Sequence, residues 1–136
     1  MTLQLEIVTP EKVVFKDEVD QVTLPTILGE ITVLPAHATL LTQASSGEIR
    51  IKKNTKEFFL ALTGGFIEVN NNKVTVLADY AVRSEEVEIE KAQEAHKRAQ
   101  KLLDEKISTE DFAAAQAAFR RSLLELKVAR RRKITL

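Results

Sequence analysis

Apolar and polar residues alternate through much of the first half of the chain. The alternation is strict over residues 3–7 and 47–52, and looser β-forming stretches cover residues 18–24 and 30–33. A period of two is typical of strands with one buried and one exposed face. Many short strands at close spacing predict an antiparallel sandwich or barrel.

Three further apolar stretches add strands to this pattern. Residues 58–62 (FFLAL) form a continuous apolar run, which predicts a strand buried on both faces. Residues 66–69 and 73–77 flank three asparagines, which tolerate the left-handed backbone of a tight turn. Gly64-Gly65 is followed by no Lys-Ser/Thr pair, so we interpret it as a tight bend between strands rather than a phosphate-binding loop.

The second part of the chain has the composition of helices. Residues 85–136 contain no Gly and no Pro and consist largely of strong helix formers. One helix is predicted from about residues 87–88 to 104–106, and residues 108–109 offer an N-cap for a second helix. The short link between them predicts an antiparallel hairpin. We therefore divide the chain into a β-domain, residues 1–84, and a helical hairpin that follows it.

The predicted helices carry narrow apolar stripes. Their members are Ala92, Ala95, Ala99 and Leu102 in the first helix and Phe112, Phe119, Leu123 and Leu126 in the second. Small side chains let helices approach closely, but they bury little apolar area, which stabilises by only about 25 cal/mol per Å². Weak docking on the β-domain suits a movable hairpin, and a permanently docked hairpin remains the alternative.

Charge and composition narrow the classes of function. The 136 residues include 20 basic and 20 acidic residues and no cysteine. Disulfides and thiolate metal sites are therefore excluded. Balanced charge and few aromatic residues disfavour a nucleic-acid-binding module, the second candidate class. No stretch approaches the ~20 apolar residues that span a bilayer, and the N-terminus does not resemble a signal peptide.

The sequence shows no group of side chains arranged for catalysis. His37 and His96 each lack a second ligand at metal-binding spacing. Ser45 and Ser46 have no nearby base and do not stand in a nucleophile elbow. We therefore expect no catalytic residue and no metal site, which favours a binding or structural protein over a small enzyme, the third candidate class.

Residues 24–42 (LPTILGEITVLPAHATLLT) resemble the segment P-x-x-x-G-E-x-x-V-L-P-G-H-A-P-L-L-T of the epsilon subunits of F-type ATP synthases. Residues 64–79 and 5–11 resemble two further segments of that family, in the same order. The resemblance covers the whole chain. Ala36 stands where the family usually has Gly and Thr39 where it usually has Pro, and both departures bear on the rigidity of one loop.

The resemblance implies both a fold and a function. The fold is an all-β N-terminal sandwich of about ten strands, followed by a C-terminal antiparallel two-helix hairpin. The implied function is that of a non-catalytic rotor subunit without a cofactor, which contacts the gamma subunit and the c-ring and couples c-ring rotation to ATP synthesis. Such a subunit reaches the membrane only through the complex. It would lie on the cytoplasmic face of a bacterial plasma membrane, with a thylakoid or plastid-encoded origin as the alternative.

The resemblance also places the contact with the c-ring. It implies that the loop carrying Glu30 touches the polar loops of the ring, with His37 nearby. A carboxylate in an exposed loop can pair with basic residues of a partner. The alternative, that Glu30 is an ordinary solvated acid, stays open.

Members of this family can extend the hairpin along gamma into the catalytic head, where it blocks rotation in the direction of hydrolysis. The implied contacts with an acidic motif of the beta subunit are Arg120, Arg121, Arg130, Arg131 and Arg132. Charge-assisted contacts buried at an interface are stronger than exposed ion pairs. A solvated, basic helix face is the alternative interpretation.

Some bacterial members bind ATP through a motif Ile/Leu-Asp-x-x-Arg-Ala in the first helix. Residues 87–92 (VEIEKA) keep its charges but change its side chains. The corresponding candidate contacts are Glu88, Lys91, Arg98 and Arg121. Lysine lacks the planar fork of arginine, and Glu125 stands where ATP-binding relatives have Arg and would repel phosphate. We therefore expect ATP to bind weakly or not at all.

Overall fold

The computed structural model describes the backbone of residues 1–133 and the side chains of residues 1–131. It contains strands β1 Leu3–Val8, β2 Val13–Val19, β3 Gln21–Thr26, β4 Gly29–Val33, β5 Leu40–Lys53, β6 Lys56–Asn70, β7 Lys73–Ala78 and β8 Ala81–Arg83, and helices α1 Ile89–Leu103 and α2 Thr109–Ala129. Short 3₁₀ turns stand at Ser84–Glu86 and Arg130–Lys133. The predicted fold, a β-sandwich followed by two helices, is confirmed.

The described strands form one continuous sheet that folds over on itself. Their order is β2-β1-β7-β6-β5-β3-β4, with β8 on a free edge of β6. Strands β5 and β6 are 14 and 15 residues long. One half of each strand belongs to one layer of the sandwich and the other half to the second layer. The structure therefore has eight strands where about ten were expected, because two long strands serve both layers.

The alternating pattern of the first half places large side chains in the core between the layers. Leu5, Ile7 and Ile51 are almost completely buried there, as the period of two predicts. In the continuous apolar run, Leu60 and Leu62 face the same core. Phe59 and Ala61 point to the opposite side and are buried beneath α2. The prediction that residues 58–62 are buried on both faces is confirmed.

The glycine pair lies inside β6, which corrects its predicted position between two strands. Gly64 and Gly65 have φ angles of +122° and +130°, a region that side chains rarely adopt. They bend β6 where it passes from one layer of the sandwich to the other. The local pattern could not show this, because two halves of one bent strand resemble two strands separated by a turn.

The helix ends agree closely with the predicted ones. Helix α1 follows Glu88, and the Ser108 hydroxyl caps α2 by accepting a hydrogen bond from the Asp111 amide at 3.1 Å. The large residues of α2 share a face, as their spacing requires, but Phe112 and Leu123 are 43% and 48% exposed. The closest packing instead uses small residues such as Ala115. No helix of the described part is long and apolar enough to cross a membrane.

The loop that follows β4 contains a strained alanine, which leads to a prediction about stability. Ala36 has a φ of 64°, and its amide donates a hydrogen bond to Asn72 Oδ1 at 3.0 Å. The left-handed region costs a side chain about 1–2 kcal/mol, of which the flexibility of glycine in the unfolded state cancels part. We expect Ala36→Gly to raise the free energy of unfolding by up to about 1 kcal/mol, measured by urea denaturation.

Ala38 provides the control in the same loop, because its backbone φ angle is not positive. Ala38→Gly should lower the free energy of unfolding or leave it unchanged. If the wild-type protein proved more stable than Ala36→Gly, the claim that the backbone of Ala36 is strained would be contradicted.

Candidate functional site

An open cleft of about 870 Å³ lies between the sandwich and the hairpin. Its walls come from the turn between β7 and β8, from the start of α1 and from the second half of α2. All four residues suggested for ATP binding line this cleft, namely Glu88, Lys91, Arg98 and Arg121. The fold thus brings together residues that are far apart in the sequence.

Two of the four cations of the cleft, Lys91 and Arg121, are engaged with neighbouring side chains. The Arg121 guanidinium lies 3.6 Å from the centre of the Tyr80 ring, and its Nε donates to Glu125 Oε1 at 3.0 Å. The Lys91 ammonium stands 2.8 Å from Glu88 Oε2. A phosphate group would have to displace or share these partners.

The protonation states in the cleft follow from these contacts. Burial raises the pKa of the Tyr80 phenol, so this ring stays neutral near pH 7. Burial alone would lower the pKa of Arg121, but its hydrogen bonds with Tyr80 and Glu125 outweigh that effect and raise it. The hydrogen bond with Glu88 raises the pKa of Lys91. Lys91 and Arg121 are therefore charged.

The cleft nevertheless has no excess of positive charge. Its acidic lining residues are Asp79, Glu86, Glu88 and Glu125, and its basic ones are Lys91, Arg98, Arg120 and Arg121. Seen from outside the cleft, equal numbers of opposite charges largely cancel. The lining therefore offers little long-range attraction for an approaching polyphosphate.

Glu30 and His37, the residues suggested to contact the c-ring, lie at opposite ends of β4. Glu30 is the second residue of that strand, which corrects the prediction that it stands in a loop. It pairs with Pro25 of β3 and forms an ion pair with Arg50 at 2.5 Å. His37 lies in the following loop, where its Nδ1 donates to the carbonyl oxygen of Ala38 at 2.6 Å. The structure does not bring the two residues together.

The arginine cluster is divided among three places. Arg120 and Arg121 line the cleft, and Arg130 is exposed at the end of α2. Arg131 donates to both carboxylate oxygens of Glu48 on β5. The side chain of Arg132 lies outside the described residues.

Sequence reasoning missed Tyr80 and Glu48, the partners of two of these arginines. The alternation of residues 47–52 places Glu48 on an outward face, but nothing in the pattern relates it to an arginine 83 residues later. Among the residues whose side chains are described, no three His, Asp or Glu residues form a group suited to a metal ion.

The outer face of the sandwich layer that contains β1, β2 and β7 carries exposed apolar side chains. Val13, Phe66 and Leu77 are 53%, 55% and 57% exposed, and Phe66 and Leu77 are direct partners across β6 and β7. Val8 links Leu77 to Val13 in the same row. Contiguous exposed apolar surface is often found where a protein binds a partner. We refer to Val8, Val13, Phe66 and Leu77 as the apolar face.

Comparisons with known proteins give consistent results over the whole chain. The family descriptions "ATP synthase, Delta/Epsilon chain, beta-sandwich domain" and "long alpha-helix domain" match residues 2–84 and 85–130. The ATP synthase epsilon chain of Herpetosiphon aurantiacus is 43% identical over 133 residues, which are 98% of each chain. That of Dehalococcoides mccartyi is 46% identical over 132 residues, covering 96% of this chain and 94% of the relative.

Two solved structures share the fold. A chain of the mitochondrial ATP synthase of Euglena gracilis superimposes with a TM-score of 0.78 at 22% identity, covering 94% of this chain and 81% of that one. A chain of the central stalk and c-ring structure of the Tetrahymena thermophila mitochondrial ATP synthase gives a TM-score of 0.63 at 16% identity, with 95% and 97% coverage. At these identities the likeness concerns the fold alone.

Proposed function

The chain belongs to the ATP synthase delta/epsilon chain family, and on that premise we propose that it is a non-catalytic subunit of the central stalk of an F-type ATP synthase. In this role it turns with the c-ring and couples ring rotation to ATP synthesis. The observation that carries the proposal is the identity of more than 40%, over nearly the full length, to proteins named ATP synthase epsilon chain. Its membrane association, on the cytoplasmic face of the plasma membrane, would come through the complex.

Co-purification tests this proposal. A tagged chain isolated from solubilised membranes should bring the gamma subunit and the c-ring with it in stable stoichiometry. Recovery of nucleic acid in their place, or recovery of the chain alone, would overturn the assignment.

We assign the β-domain, residues 1–84, to the binding of gamma and the c-ring. The apolar face supports the contact with gamma, because a subunit held permanently in a rotor needs an interface that excludes water. The core between the two layers is formed wholly by residues of this part of the chain. The hairpin, residues 85–136, takes the regulatory role.

For the contact with the c-ring, the prediction concerns Glu30. Its side chain is 56% exposed, and an exposed ion pair of this kind adds at most about 1 kcal/mol to stability. We expect Glu30→Lys to lower ATP-driven proton pumping by the reconstituted enzyme while the subunit still folds, because interface charges set specificity more than stability. Glu30→Gln, which avoids repulsion with Arg50, should have a smaller effect in the same direction.

An exposed acid on a distant strand provides the control for this experiment. Glu18 lies on β2 and pairs in register with Gln4. Glu18→Lys makes the same change of charge and should leave pumping unchanged. Equal pumping by the wild type and Glu30→Lys would remove Glu30 from the contact with the c-ring.

For ATP, we propose weak binding or none, since the cleft has balanced charge and two of its cations, Lys91 and Arg121, are already paired with acids. Calorimetry on the isolated protein should give a dissociation constant of about 1 mM or weaker, equivalent to about −4 kcal/mol. Glu125→Arg removes the acid that holds Arg121 and adds a cation to the cleft. This variant should bind ATP at least about tenfold more tightly, a change of about 1.4 kcal/mol. Micromolar binding by the wild type would contradict the proposal.

A further inference from the structure

The hairpin is held against the sandwich chiefly through the end of α2. Leu124 and Val128 of this end pack on Phe59 and Ala61, which form the outer surface of β6. Ala129 packs beside Val87 and Ala92 at the start of α1. Three of these seven side chains are alanines, which bury little area, so the apolar contact is limited in extent.

One ion pair stands beside this contact. Arg131 donates from its terminal nitrogen to Glu48 Oε1 at 2.9 Å and from Nε to Glu48 Oε2 at 3.0 Å. The guanidinium also lies 4.9 Å from the centre of the Phe59 ring. The exposed fractions of the side chains are 9% for Glu48 and 32% for Arg131. Two charge-assisted bonds and the contact with an aromatic ring make this partly buried pair stronger than an ordinary surface ion pair.

Glu48 and Phe59 form a binding slot for Arg131 on the surface of the sandwich. Glu48 is the register partner of Ala61, so its carboxylate stands beside the apolar docking residues. Phe59 supplies an aromatic face next to it, and together they form a slot that fits a planar guanidinium. Lysine, with a point charge and no fork, would fill the same slot poorly.

We propose that the Arg131–Glu48 pair is a latch that sets how much of the hairpin is docked and that withholds Arg131 from any acidic partner surface. The two bonds use the Nε and a terminal nitrogen of Arg131 and hold its guanidinium over Phe59 on the sandwich, so Arg131 cannot make this pair and an equivalent two-bond contact through the same edge with a partner at the same time. Release of the latch therefore does two things: it frees the hairpin to move, and it exposes the cation. The second consequence rests on the proposed function, while the first concerns the isolated chain alone.

The first test measures the position of the hairpin in the full-length chain. Since the sequence contains no cysteine, Lys16→Cys and Glu110→Cys introduce two spin labels at exposed sites on β2 and α2. The distance distribution of the otherwise unchanged protein should show the docked state. Glu48→Gln and Arg131→Ala should each raise the ratio of undocked to docked molecules roughly ten- to hundredfold, as expected for the loss of charge-assisted hydrogen bonds.

Arg130 provides the matched control, because it is the exposed neighbour of Arg131 and carries the same charge. Arg130→Ala should leave the distance distribution nearly unchanged. Arg131→Lys should give an intermediate ratio of undocked to docked molecules. This variant also keeps the test possible if Glu48→Gln folds poorly. The double variant Glu48→Gln/Arg131→Ala should open no further than Arg131→Ala alone, since the pair with Glu48 is already lost in that variant.

The latch would be overturned if Arg131→Ala opened the hairpin no more than Arg130→Ala, or if the effects of Glu48→Gln and Arg131→Ala were additive. In the assembled enzyme, Glu48→Gln should lower ATP hydrolysis, because it frees a hairpin whose Arg131 is intact. An opened hairpin with unchanged hydrolysis would support the latch and contradict the inhibitory role of the hairpin.

Discussion

Replacing Gly65 by alanine should lower the free energy of unfolding by about 3–5 kcal/mol, because it adds backbone strain and overpacking at the same point. A Cβ at this position would lie 2.0 Å from the carbonyl oxygen of Leu77 and 2.9 Å from the Cα of Ala78. Both are backbone atoms of β7, which cannot move aside without breaking the pairing of β6 with β7. Urea denaturation followed by circular dichroism measures the change.

Gly29 separates the two contributions to this cost. It has a φ of +118°, close to that of Gly65, but an added Cβ would meet no atom within 4 Å. Gly29→Ala therefore carries the backbone strain alone and should cost about 1–2 kcal/mol. Equal losses in the two variants would show that the contact with β7 does not limit the bend.

The bend at Gly65 also relates the two surfaces that the proposed function needs. Before it, β6 presents Phe59 and Ala61 to α2, and after it the same strand presents Phe66 on the apolar face. One strand thus carries both the docking surface of the hairpin and part of the proposed gamma-binding surface. A variant that perturbs the bend should disturb both.

The predictions from sequence succeeded where the signal is local. Alternation identified β1 and the second half of β5, and the Ser108 cap fixed the start of α2, because each depends on neighbouring residues. The long strands were not predicted, since the glycines that bend β6 have the same local signature as a turn. The count of about ten strands came from the resemblance and is slightly above the eight observed, although the sandwich and the helices after it are correct.

The contacts of the arginines show a second limit of prediction from the sequence. The resemblance indicated Glu88, Lys91, Arg98 and Arg121, and the structure brings them into one cleft. The partners that determine the behaviour of Arg121 and Arg131 are Tyr80, in the turn between β7 and β8, and Glu48 on β5, both remote in sequence from α2. Such pairs depend on where the hairpin docks, and no periodicity within one helix carries that information.

Removing the hairpin from the assembled enzyme should have the largest functional effect. An enzyme with this subunit ended after Ser84 should hydrolyse ATP at least about fivefold faster, the lower end of ordinary coupling between sites, while synthesis continues. The measurement is steady-state hydrolysis and proton-driven synthesis by the same reconstituted preparation. The shortened subunit must itself give a cooperative thermal transition, since its loss of α2 uncovers Phe59 and Ala61.

Substitutions at the arginines distinguish an electrostatic block from a steric one. Replacing Arg120, Arg121, Arg130, Arg131 and Arg132 together by alanine removes five cations but keeps both helices. If these cations bind an acidic surface of the beta subunit, the substituted enzyme should reproduce most of the rise in hydrolysis. A rise with the truncation alone would show that the bulk of the hairpin blocks rotation. No rise with either would exclude the hairpin as an inhibitor in this enzyme.

The latch makes the single substitutions informative as well. Arg130→Ala removes an exposed cation without touching Glu48, so it should raise hydrolysis slightly. Arg131→Ala removes a cation and also frees the hairpin, so its two effects oppose each other and its net change should be smaller than that of Arg130→Ala. Higher salt should weaken the contacts of several cations with an acidic partner surface more than the single, partly buried pair with Glu48, since screening acts on every pair of interacting charges. Raised ionic strength should therefore favour the docked hairpin and faster hydrolysis. If salt slowed hydrolysis by the wild-type enzyme but not by the truncated one, this electrostatic account would be contradicted.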